Sequence, residues 1–359
     1  MQAKRYNFTP MKRLLLISIL ICGWLFSYGQ RTIVVKAGDA ESLLGAIEEA
    51  NKLNADKQAQ QIFVLIPNGY YDLGERVLTR ITGHHIAFIG QDKFLTVIRN
   101  QPDRQKEGIS KTAVLQNRGS DNYFQDLTLL NDMEYYEQSN DGRAVTLQDK
   151  GNRTICNRVR LLSHQDTYYS DNEEGRYYFQ DSEIHGTVDF ICGAGDVWFE
   201  QCCMVTVRRS DDGSGRDVIA APRTSKTQWG FIMNRCTVKS YLSPFQFARG
   251  WHTTPHCVWL YTTLLNPDRL MESRFDPKPI RGVNICFREF GTMDATGHEI
   301  TPKSNIVTYV SKDEQKTEET IATPEEASRY TLQRVFGDWK PDKVLRQTEK
   351  KAKKLMKRL

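Results

Sequence analysis

The 359-residue chain is 39% hydrophobic and 26% charged, enough for one large globular domain or two ordinary ones. Its formal charge of +5 sits at the ends: residues 1–29 hold four basic residues and no acid, residues 340–359 hold nine against two, and the body between holds 36 against 42. The body is therefore acidic, which argues against nucleic acid as its partner.

At the amino end, Lys12-Arg13 precedes the apolar run Leu14 to Phe26 and the small residues around Gly29. This is the pattern of a secretory signal cleaved after Gly29, with a run too short for a comfortable membrane span. An exported protein with no membrane span after processing is expected, in the periplasm, at the cell surface or outside the cell. Export permits disulfides. However, the seven cysteines left (156, 192, 202, 203, 236, 257 and 286) are an odd number scattered over a long chain, and no disulfide framework follows. Ala40 to Asn51 has the period of an amphipathic helix and is expected to cap the first coil of what comes next.

From residue 120 the chain repeats itself. Tyr123-Phe124-Gln125-Asp126 and Tyr178-Phe179-Gln180-Asp181 share four residues, and Ile155-Cys156-Asn157-Arg158, Phe199-Glu200-Gln201 and Ile232-Met233-Asn234-Arg235 are related. Val258-Trp259-Leu260-Tyr261 continues the series without the amide. With 124, 155, 178, 200, 232 and 259 as markers the steps are 31, 23, 22, 32 and 27 residues. One strong strand per repeat, and no amphipathic helix between 120 and 290, predict stacked coils rather than βαβ units. The polar residue recurring in each repeat predicts an amide ladder near a turn. An antiparallel β-sandwich is the alternative. Beyond the repeats, Thr323-Pro324-Glu325-Glu326 has the chemistry of a helix start, and the segment 341–359 reads as an exposed basic helix or, more simply, as the solvated basic tail that is expected here. His252 and His256 bracket Pro255, which breaks helical ligand spacing, so no metal or other cofactor is expected.

Two acids stand out. Asp189 lies in the apolar, β-branched run Gly186-Thr187-Val188-Asp189-Phe190-Ile191, where an unpartnered carboxylate would be costly. Asp166, in His164-Gln165-Asp166-Thr167, lies 23 residues earlier, a spacing that one turn of coil would bring alongside. Taken with Phe247-Ala248-Arg249-Gly250-Trp251, these segments resemble, in order and rough spacing, the three signature blocks of the pectin methylesterases. The likeness extends over roughly residues 31–340, which the notional mature body fills as one domain from residue 30 to 340.

The resemblance implies an all-β fold, a single-stranded right-handed parallel β-helix with short terminal helices. It implies an esterase acting on methyl-esterified pectin, with Asp189 as nucleophile, Asp166 as acid and then base, Gln165 as oxyanion donor and Arg249 holding Asp189. Trp251 would offer a flat face to a sugar ring. A monomer is expected. Each residue also has a plainer reading: turn-capping acids, a rung of the amide ladder, a structural counter-ion, ordinary core. Arg143 stands where the family usually has a second glutamine, Cys192 replaces a phenylalanine and Gly250 a proline. Arg143 is expected to contact substrate or an active acid. The rivals are a pectin lyase or polygalacturonase on the same scaffold, and a solenoid that binds pectin without cleaving it.

Overall fold

A computed structural model describes residues 31–103, 108–134, 142–208, 215–226, 229–240 and 242–359. The expected signal segment lies outside the described residues. Thr32–Leu359 form one compact unit, a parallel β-helix of three sheets with ten, eight and nine strands. Successive strands of each sheet come from successive coils, and every pair within these three sheets is parallel. An antiparallel sandwich is thereby ruled out. One antiparallel pair, Ile306–Ser311 with Glu314–Glu319, follows the solenoid.

The repeats found in the sequence are neighbouring strands of the ten-stranded sheet, from Tyr123–Gln125 through Thr154–Asn157, Arg176–Gln180, Asp196–Glu200 and Phe231–Asn234 to His256–Leu260. Their register aligns Gln125, Asn157, Gln180, Glu200, Asn234 and Leu260. Asn157 Nδ2 donates to Gln125 Oε1 at 3.2 Å, and Asn234 Nδ2 to Glu200 Oε2 at 2.8 Å, so rungs of the amide ladder are joined. The residue after each rung turns the coil in the left-handed region: Asp126, Arg158, Asp181, Gln201, Arg235 and Tyr261 have φ between 48° and 54°. Of the sequence markers, 155, 178 and 232 share one row of the sheet, while 124 and 259 sit one place beyond that row and 200 two.

Inside the solenoid, side chains stack coil on coil. Phe88, Phe124, Cys156, Phe179, Phe199, Met233 and Trp259 form one such row, with Phe179 and Phe199 stacked at 4.8 Å. Strands of this sheet are apolar on both faces, because the outer face is covered too. Its Tyr123, Ile155, Tyr178, Trp198 and Ile232 pack under the C-terminal segments. There the structure departs from the expected solvated tail: Pro341–Met356 is a helix that buries Leu345, Thr348 and Ala352. Three apolar or small residues at helical spacing suffice, because the sheet supplies the rest of the apolar surface. The other two expected helices form as read. Ala40–Leu53 is capped by Asp39, and Thr323 makes a capping box with Glu326. All seven cysteines of the described residues are free. Among the described residues, no helix is long and apolar enough to cross a membrane.

Candidate active site

The site grows out of the eight-stranded sheet. Its inward row, Leu115, Leu147, Tyr168, Ile191, Ala220, Ala248 and Phe275, belongs to the core. The next residue of each strand therefore points outward. These are Gln116, Gln148, Tyr169, Cys192, Ala221, Arg249 and Asp276, and Arg249 is thus aimed out of the sheet by the strand Phe245–Arg249.

Asp189 reaches the same surface through a bulge. Val188 pairs with Val218 and Ile191 with Ala220, so the Asp189 strand holds one extra residue. Asp189 takes up that extra residue at φ 55°, a conformation that aspartate tolerates better than most side chains. Asp166 stands at φ 59° on the turn before the strand Tyr168–Ser170. Gly186 explains the tightness of the Gly-Thr-Val-Asp block. A Cβ there would lie 2.4 Å from the His164 carbonyl oxygen and 2.0 Å from Phe190 Cβ. The coil bearing Asp166 and the coil bearing Asp189 approach at this point, and Thr187 N donates to His164 O at 2.9 Å. Thr167 Oγ1 ties the turn back to His185 O at 2.7 Å.

Arg249 grips both oxygens of Asp189: Nε donates to Oδ1 at 2.6 Å and Nη2 to Oδ2. A forked pair of this kind fixes the carboxylate in the plane of the guanidinium. Both acids are nearly buried, at 4% exposure for Asp166 and 3% for Asp189. Burial raises the Asp166 carboxyl well above the ordinary carboxylate range, and the negative charge of Asp189 raises it further. The Cys192 thiol, Arg143 and Arg249 oppose that rise without cancelling it. Arg143 Nε lies 4.0 Å from Asp166 Oδ2. The two acids thus differ in state: one is ion-paired, the other favours its proton.

A cleft of about 200 Å³ unites the sequence-derived residues, lined by Arg143, Gln165, Asp166, Asp189, Arg249 and Trp251 together with Ile109, Cys192 and Ala221. Gln165 keeps its backbone in a bridge to Arg143, while its side-chain amide makes no hydrogen bond among the described residues. The amide is thus available to a ligand in the cleft. Trp251 lies beside Tyr169, with ring centroids 6.1 Å apart, and Arg223 covers it at 5.2 Å. Arg223 and Tyr169 were not singled out from the sequence. Both are held by Asp171, at 3.3 Å and 2.7 Å, just after the strand Tyr168–Ser170. Gly250 is accounted for locally: a Cβ would meet Ile280 Cγ2 at 2.5 Å. Other aspartates in left-handed turns, Asp121 and Asp126, pair with Arg153 and Arg158 away from this cleft. They show the plain turn role, paired with arginines and outside the cleft that Asp166 and Asp189 line.

With this geometry in view, comparison with known proteins is decisive for the family. A family model described as Pectinesterase matches residues 32–254. The chain belongs to the pectinesterase family. Among pectinesterase relatives, probable pectinesterase 49 of Arabidopsis thaliana is 24% identical over 253 residues, covering 68% of this chain and 66% of that protein. The chain spans 48% and 41% of two further Arabidopsis relatives. Pectin methylesterase from Erwinia chrysanthemi shares the fold at a TM-score of 0.65 and 23% identity, over 87% of this chain and 98% of that one. A pectin methylesterase solved in complex with a hexasaccharide matches equally, at 0.65 and 23%, over 86% and 98%.

Proposed function

We propose that the protein hydrolyses methyl esters of galacturonate residues in pectin, with Asp189 as nucleophile. The observation that carries this reading is the division of labour in the cleft: a carboxylate clamped by Arg249 beside a second acid that favours its proton. In the first step Asp189 attacks the ester carbonyl carbon, and the side-chain amide of Gln165 donates to the oxygen that becomes negative. Collapse breaks the bond to the methoxy oxygen, which takes the Asp166 proton and leaves as methanol. Asp189 is then acylated. In the second step Asp166, now ionised, removes a proton from water as its oxygen attacks the acyl carbon. Galacturonate leaves, Asp189 is regenerated and Asp166 again carries a proton. Trp251 and Tyr169 offer apolar ring surface for the sugar, and Arg143 a cation at its edge. The N-terminal pattern supports export, which would bring the enzyme to such a polymer outside the cytoplasm.

The test is methanol release from highly methylated homogalacturonan, by the wild type and by Asp189→Asn. Release by the wild type alone supports the reaction and the nucleophile together. Binding of pectin with no release by either protein would favour a non-catalytic solenoid, and shortening of polygalacturonate chains a different pectin-degrading enzyme.

A further inference from the structure

The C-terminal helix Pro341–Met356 spends its apolar side on the ten-stranded sheet, packing against the strands Ile62–Ile66 and Thr154–Asn157. Gln61 donates to Thr348 and Arg158 pairs with Glu349 at 2.6 Å, so the helix is pinned in one rotation about its axis. That rotation turns Lys343, Lys350, Lys354 and Lys357 into one exposed stripe, spaced by seven, four and three residues. Fourteen residues of helix extend roughly 21 Å. Lys351, Lys353 and Arg358 widen the stripe, and residues 350–359 contain no acid. Asp342 is taken by Arg346. Among the described residues, none of the six cations from Lys350 to Arg358 has a side-chain ion pair. Elsewhere on this side of the molecule Arg153, Arg158 and Arg176 are matched by Asp121, Asp126 and Asp338.

Cations in a last helical turn also complement the helix dipole. That accounts for Lys353, Lys354 and Lys357, but not for a stripe beginning at Lys343. We propose that this face is a binding surface for polygalacturonate, the de-esterified chain that the reaction above would leave behind. The inference rests on that reading of the reaction. Each ester cleaved adds one negative charge to a linear polymer, and a linear row of unmatched cations complements such a product. A lipid surface fits less well. The apolar face that would enter a bilayer is already buried in the protein, leaving only charge attraction. The helix lies on a different sheet from the two acids, so product held here would leave the cleft open while tethering the enzyme to its polymer.

The test uses the full chain and the variant K350Q/K351Q/K353Q/K354Q. Affinity for fully de-esterified polygalacturonate is measured at low and at physiological salt. Methanol release from short methylated oligogalacturonides is measured in parallel. The variant is expected to bind polygalacturonate about tenfold more weakly at low salt and to lose most of the salt dependence, with methanol release unchanged. Equal affinities and equal salt dependence in the two proteins would overturn the proposal. So would lysine-dependent binding to phosphatidylglycerol vesicles with no binding to polygalacturonate. Lysine-dependent polygalacturonate binding by a wild type that releases no methanol would overturn the reaction and leave this surface standing.

Discussion

Arg143 places its Nε 4.0 Å from Oδ2 of Asp166, beside an acid that burial and Asp189 push toward protonation. Its charge works against that push. Arg143→Gln is therefore expected to raise the Asp166 pKa further. In the proposed reaction Asp166 must hold its proton to release methanol, so the alkaline limb of kcat/KM against pH should move to higher pH, with turnover retained. An alkaline limb identical to the wild type would show that Arg143 has no electrical role in the site.

Asp189 is held by Arg249 across 60 residues of chain. Asp189→Asn keeps the size and one acceptor oxygen but removes the proposed nucleophile, and should lower kcat/KM by about 10³-fold or more. Arg249, whose side chain is only 15% exposed, loses its counter-charge, so the melting temperature should fall while near-ultraviolet circular dichroism stays native. A folded Asp189→Asn enzyme with wild-type turnover would remove Asp189 from its role.

Gly186 is where the two acid-bearing coils touch. Gly186→Ala would drive a Cβ to 2.4 Å from His164 O, and backbone must move to admit it. Activity should fall at least about 10²-fold with every cleft side chain unchanged, since small displacements of reacting groups are that costly. Stability should fall by roughly 1–3 kcal/mol. Unaltered kinetics would mean the coils are not held at this point.

Asp149 lies fully inside the solenoid, accepting from Asn117 Nδ2 at 2.9 Å and Gly151 N at 3.0 Å. Burial raises its pKa from 3.8 to about 7. The folded state then holds a proton that the unfolded state loses above pH 3.8. This group leaves stability intact below that pH, and its cost grows as pH rises to about 7 and is constant above. The full cost is on the order of 4 kcal/mol. Asp149→Asn cannot ionise, so its melting temperature relative to wild type should rise by a few degrees between pH 5 and pH 8. A difference independent of pH would show that Asp149 does not change charge over this range.

Much of this molecule was legible because solenoid chemistry is local. The repeated aromatic–amide–turn segments determined the stacking of coils, since each must satisfy its own turn and the identical strand above it. The N-cap at Thr323 and the helix from Ala40 were legible for the same reason. That the two acids and Arg249 share one cleft was legible because each lies in a short ordered segment, and the three segments together carry the family resemblance. The residues missed are those that meet only across coils. Arg223 covers Trp251 from 28 residues away and Asp171 holds it from 52, and no pattern along the chain encodes either contact.

The C-terminal helix marks the boundary most clearly. By itself the sequence determined its charge, nine basic residues against two acids from Lys340 onward. Tertiary structure alone decided that it docks, because the partner of its apolar side is a sheet face that exists only once the strands Ile62–Ile66 and Thr154–Asn157 are assembled into one sheet. The same holds for the cleft. Residue types set what chemistry is available, but the state of Asp166 depends on burial and on the distance to a second charge. Both are properties of the assembled coils.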